Sequence, residues 1–139
     1  MSNVTDGFVR KEEWKREGKD FCVVVSRHTA RSTDENDNNR WCVYLYVYPR
    51  HPSFDLFNPL SDMWSQPHFT CHSYVSFFKV HRDERGDVGS FQIGWDYNHE
   101  GDNFGWCSTA DDASSVFWDA NRLFEQAEQW ATEADWVSQ

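Results

Sequence analysis

The sequence predicts an α+β fold, an antiparallel β-sheet of about four strands with one long C-terminal helix packed on one face. Three observations predict it. β-Branched and aromatic runs recur through the first two thirds of the chain, turn-forming clusters divide them with no crossover helix between, and one 3.6-residue apolar stripe fills the C-terminal stretch. A chain of 139 residues suits a single α+β domain spanning 1–139.

The first segment, Val9 to Asp20, mixes charges around Trp14 and reaches a break at Gly18, so it reads as a short helix or an edge strand. Phe21–Ser26 is continuous and β-branched, a strand. Thr29 to Arg40 is polar and reads as a hairpin loop. Trp41 to Tyr48 is the strongest strand: Trp41, Val43, Leu45 and Val47 fall on one side, and Tyr44, Tyr46 and Tyr48 on the other. That pattern fits a central position with one face in the core and the tyrosine face either covered by a loop or used for binding.

All four prolines fall between Pro49 and Pro67, which marks an irregular excursion. It still carries Phe54, Leu56, Phe57, Leu60, Met63 and Trp64, so it is expected to pack down on the domain, over the tyrosine face. Strands follow at His68–Val80 and Val88–Tyr97, joined by the turn Asp83-Glu-Arg-Gly-Asp87. The helix is expected to start at Thr109 as N-cap, with Asp112 completing a capping box. Val116, Ala120, Leu123, Ala127, Ala131 and Ala134 form its core stripe, widened by Phe117 and Phe124.

Aromatic side chains are abundant, with eight Trp, eleven Phe and five Tyr, so a core forms readily despite a mean hydropathy of -0.80. No run reaches the roughly 20 apolar residues of a membrane span. Charged residues occupy the N-terminus where a signal peptide needs an apolar run, which predicts cytoplasmic localisation and no membrane partner. Cys22, Cys42, Cys71 and Cys107 form no Cys-x-x-Cys pair and read as reduced, buried thiols.

Charge is unevenly placed. The net charge is -10, yet residues 1–50 carry nine Lys/Arg against eight Asp/Glu, and residues 51–139 carry four against fifteen. From Trp95 onward, Arg122 is the only Lys or Arg beside ten carboxylates. Such a field disfavours direct nucleic-acid binding and favours basic protein surfaces. On the helix, Asp119, Glu125, Glu128 and Glu133 are the candidate partner-binding residues.

Trp95 to Asp102 holds the densest reactive set, with Asp96, His99 and Asp102 three apart. A hairpin register pairing Phe77 with Ile93 and Val75 with Trp95 sets Tyr74 opposite Asp96, with His72 on the same face. His72, Asp96, His99 and Asp102 are then the catalytic candidates, since a carboxylate beside a His orients it as a general base. Two His and two Asp also suit a zinc, manganese or magnesium ion, and the same residue types form ordinary turns. No motif calls for a cofactor, and no specific metal signature is present. Arg50 and His51, beside Tyr44, Tyr46 and Tyr74, form a candidate ligand site for stacking on a phosphate-bearing base.

Trp41-Cys-Val-Tyr leading to His51-Pro52, then His72, then Gly94 to Asp102, resembles a loose group of small uncharacterised bacteriophage proteins. Those share an aromatic strand ending in His-Pro and a later Gly-x-Asp-x-x-His-x-x-Asp stretch, and the resemblance covers about residues 40 to 105. Cys71-His72-Ser73 departs from the His-Gly-Gly of some such proteins. The resemblance implies an accessory protein that disarms host defences or redirects host enzymes, acting in the host cytoplasm. Three functions are therefore expected to compete. One is an anti-defence inhibitor binding a basic host protein, such as a nuclease, through the acidic C-terminal half. The second is a nucleotide-binding or nucleotide-hydrolysing protein built on the His/Asp cluster, and the third a structural component of a virion.

Overall fold

The computed structural model describes residues 9–10, 13–29, 39–62, 66, 75–97 and 113–137, with side chains at 13–27, 41–62, 66, 75–97 and 113–129. Six strands form one antiparallel sheet: β1 (Val9–Arg10), β2 (Trp14–Gly18), β3 (Phe21–Thr29), β4 (Asn39–Val47), β5 (Phe77–Arg82) and β6 (Val88–Asp96). Their spatial order is β1-β2-β3-β4-β6-β5. Among the described residues one α-helix, α1 (Ser114–Val137), packs against β2, β3 and β4. The expected α+β architecture is therefore the observed one, with a two-residue β1 and five longer strands in place of about four. Among the described residues no helix is long and apolar enough to cross a membrane.

β4 is central, as its alternation requires. Trp41, Val43, Leu45 and Val47 are fully buried, whereas Tyr44, Tyr46 and Tyr48 are half-buried on the opposite face. The mixed-charge segment resolves as β1 and β2: Trp14 enters the core, while Lys15 and Glu17 point to the other side and pair at 3.2 Å. β3 runs on to Thr29, paired with Asn39, so the polar connection is shorter at both ends than its composition suggests.

Aromatic packing binds the two layers. Trp14 meets Trp41 at 5.3 Å and Phe117 edge-on at 5.6 Å, while Phe21 meets Phe124 at 4.9 Å. Each fully buried large ring contributes about 2–3 kcal/mol. The Arg16 guanidinium lies 3.8 Å above the Phe124 ring and donates to Asn121 Oδ1 at 2.6 Å, tying β2 to the helix. Val116, Phe117, Ala120, Leu123, Phe124 and Ala127 are the buried stripe, as their spacing predicts. The helix starts at Ser114, later than the expected Thr109 cap. The Ala113 carbonyl accepts from Val116 and Phe117, and Thr109 and Asp112 lie outside the described residues.

The proline-bounded segment corrects a second expectation. Its described residues reach the helix side of the sheet through Phe54 and Phe57, not the tyrosine face, while Leu56 and Leu60 stay exposed; Met63 and Trp64 lie outside the described residues. Phe54 and Phe57 sit against Phe91 at 4.9 and 5.1 Å, and Phe57 also stacks on Phe78. The reason is topological. Helix α1 covers β2–β4, leaving Phe91, Phe78 and Val80 bare on the same face, and the chain must cross β6 to reach the outer strand β5.

The β5–β6 hairpin closes as expected through Asp83–Asp87. Asp83 Oδ1 accepts from the Arg85 and Asp87 amides, and Gly86 supplies the left-handed φ of +86°. Its register differs from expectation by one residue: Phe78 opposes Ile93, and Phe77 opposes Gly94. The Ser76 amide also donates to Gly94 O, so two residues face one, as in a β-bulge. The shift itself arises nearer the turn: Arg82 opposes Val88 but His81 opposes Ser90, so Gly89 is an extra residue in β6.

Candidate functional site

The sheet's second face carries three parallel rows of chemically useful side chains. β4 presents Cys42, Tyr44 and Tyr46, with Tyr48 just beyond its end. β6 presents Gln92, Gly94 and Asp96, and β5 presents Phe77, Lys79 and His81. Tyr44 and Phe77 both oppose Gly94, and their rings meet over it at 5.2 Å. A Cβ at Gly94 would lie 2.0 Å from Val43 O and 2.9 Å from Tyr44, so only glycine allows this approach.

One step along, His81 stacks on Tyr46 at 5.9 Å and 28°. Its Nε2 donates to Gln92 Oε1 at 2.7 Å, which holds the ring and leaves Nδ1 as the second nitrogen. Lys79, directly opposite Gln92, is exposed. At the other end, Ser76 Oγ donates to Asp96 Oδ2 at 3.4 Å. Burial raises the phenols of all three tyrosines, that of Tyr46 to about 12. They are therefore neutral hydroxyl donors at physiological pH and cannot serve as general bases. Burial likewise raises the Cys22 thiol, whose Sγ lies 3.3 Å from the Tyr48 hydroxyl. A thiol held protonated is a poor nucleophile.

Of the expected catalytic set, Asp96 stands on this face, while His72, His99 and Asp102 lie outside the described residues, as does Tyr74. Among the described residues no three His, Cys, Asp or Glu side chains are placed to hold a metal ion. Tyr44 and Tyr46 share the face, but His51 does not join them. It sits on the helix side, buried, edge-on to Phe21 at 5.4 Å. Its Nε2 donates to Ala127 O at 3.1 Å, and its Nδ1 accepts from the Ser53 amide at 3.1 Å and the Ser53 hydroxyl at 2.6 Å. Every polar atom of the ring is engaged, so His51 is a latch between loop and helix. Arg50 is exposed in the turn leading to it.

The helix's outer face is the other candidate. Trp118 is 61% exposed, and Arg122, Glu125 and Glu128 are exposed along the same side. Among the described residues Glu125 and Glu128 form no ion pair, the one recorded being Lys15–Glu17. Asp119 differs from its expected companions: its carboxylate accepts a 2.5 Å hydrogen bond from the Tyr97 hydroxyl, anchoring the end of β6 to the helix. Glu133 lies in α1 beyond the described side chains.

His81, Lys79 and Gln92 are the residues sequence reasoning missed on the sheet face. Their signal was the alternate spacing Phe77, Lys79, His81, which gains meaning only once the register places that row beside the tyrosines. Comparisons with protein-family models, characterised proteins and solved structures give no match.

Proposed function

We propose that the protein is a phage-type accessory protein that counters host defence by binding a basic, nucleic-acid-binding host protein through its acidic C-terminal half. The observation that carries this reading is the outward stripe of α1. Trp118 stands in solvent with Glu125 and Glu128 beyond it, and no cation of the described residues neutralises either carboxylate. An exposed Trp is the residue type that most often anchors a protein interface. Unpaired carboxylates around it steer a basic partner and repel nucleic acid. The resemblance of residues 40 to 105 to small phage proteins supplies the setting.

Long-range attraction of this kind is screened over about 8 Å at physiological ionic strength, so binding should weaken steeply with salt. The test is native mass spectrometry of tagged protein recovered from bacterial lysate, alongside the variant Glu125→Lys/Glu128→Lys/Glu133→Lys. A partner held at low salt, released at high salt and lost from the triple variant supports the reading. A partner retained by the triple variant with unchanged affinity sinks it.

A further inference from the structure

We infer that the sheet face opposite the helix binds a small phosphorylated aromatic ligand of the nucleotide type, with Lys79 and His81 taking the phosphate and the Tyr44–Phe77 pair taking the ring. The argument begins with where the cations are. Of the four Lys/Arg in residues 51–139, Lys79, Arg82 and Arg85 lie on β5 and its turn. Asp83, Glu84 and Asp87 in the same turn offset Arg82 and Arg85, so the cation that matters is Lys79, which stands on the row itself, on the far side of the sheet from the carboxylates of α1. Those carboxylates are separated from it by a buried layer and are screened in solution.

The row on β5 then has a direction. Phe77, Lys79 and His81 alternate on one face, about 7 Å per two-residue step. That step suits the separation of a base from its 5′-phosphate. Phe77 and Tyr44 offer ring edges and faces at one end. Lys79 offers an exposed ammonium, and His81, fixed by Gln92 and Tyr46, adds an Nδ1–H donor beside it in its doubly protonated form. Asp96 lies past the aromatic end, where its carboxylate disfavours the reversed orientation with phosphate over Phe77. The Tyr44 and Tyr46 hydroxyls stay protonated and can donate to ligand oxygens. The ligand contacts would therefore come from Lys79 and His81, and not from His51, which the fold holds on the helix side.

The test titrates the full-length protein with AMP, GMP and inorganic phosphate by calorimetry, with Lys79→Ala and His81→Ala as variants. Lys79 is exposed, so its replacement leaves the fold intact, which thermal melting verifies. The expected result is saturable nucleotide binding, with phosphate alone weaker, and about a tenfold or greater loss of affinity in each variant. The Glu125→Lys/Glu128→Lys variant should bind the nucleotides no more weakly than wild type. Absence of nucleotide binding at millimolar concentration overturns the proposal, as does undiminished binding by Lys79→Ala. Phosphate binding as tightly as AMP and GMP overturns the assignment of the aromatic pair. None of these outcomes depends on whether the helix binds a protein partner.

Discussion

The His51 latch permits a stability experiment whose sign is fixed in advance. Burial lowers the His51 pKa from its ordinary 6.5, the Ala127 carbonyl and Asp20 carboxylate opposing that shift only in part. The hydrogen bonds agree with a neutral ring, because Nδ1 must keep its lone pair to accept from Ser53. In the unfolded chain His51 takes up a proton as pH falls through about 6.5, whereas in the folded chain it resists. The unfolded state then binds more protons, so stability falls with falling pH, from 6.5 down to the lowered folded value, and no further. The loss attributable to His51 is at most about 1.4 kcal/mol per pH unit within that window. Replacing His51 with Gln removes the titration. It also removes the Nδ1 acceptor, leaving the buried Ser53 amide unsatisfied at a cost of about 1–3 kcal/mol at neutral pH. Urea denaturation of both proteins between pH 7.5 and 5 cancels every other titrating group in the difference. Wild type should lead by about 1–3 kcal/mol at pH 7.5, and its lead should shrink below pH 6.5. A lead that stays constant or grows on acidification refutes the latch.

Other positions give sharper single numbers. Gly94→Ala places a methyl group against Val43 O and Tyr44, and should cost about 3 kcal/mol in urea denaturation, with loss of native tyrosine near-ultraviolet dichroism. Tyr97→Phe strips the Asp119 carboxylate of its hydroxyl donor and should cost about 2 kcal/mol, and a double-mutant cycle with Asp119→Asn should show coupling above 0.5 kcal/mol. Gln66→Ala removes a buried amide that donates to the Asn58 and Asp62 carbonyls and accepts from the Asn58 amide. Hydrogen exchange of the Asn58 amide should accelerate at least tenfold, while that of Leu45 in β4 should change far less.

The strands were legible wherever one face is uniformly apolar. β4 read correctly because Trp41, Val43, Leu45 and Val47 have no polar interruption and three tyrosines mark the other side. The α1 stripe read correctly for the same reason at helical spacing. What failed were features decided by long-range geometry. The β5–β6 register turned on an extra residue in β6, Gly89, between the Arg82–Val88 and His81–Ser90 pairs, and no local pattern counts such residues. The proline-bounded loop chose the helix side because α1 is too narrow to cover six strands, a fact of areas and not of residue types. His51 sat next to the tyrosines in sequence, yet the turn at Pro49–Arg50 carried it across to Ala127. Proximity along the chain was mistaken for proximity in space, and His81, thirty residues further on, took the place expected of His51.

The two candidate surfaces lie on opposite sides of one sheet, and that arrangement bears on how they can act together. A ligand at one face alters affinity at the other only if it distinguishes conformations that the other also distinguishes. Between them stand Val23, Val25, Val43, Leu45, Ile93 and Trp95, all essentially without solvent exposure and in one buried cluster with Leu123 and Phe117. A close-packed layer of this kind has no second arrangement within reach of a small ligand's binding energy. The helix carboxylates and the Lys79–His81 row should therefore act as independent sites. Saturating nucleotide should leave partner affinity unchanged within about a factor of two, less than the roughly fivefold at the low end of allosteric coupling. A larger shift would locate the coupling in the segments that join the faces, first of all the loop that His51 fastens to the helix.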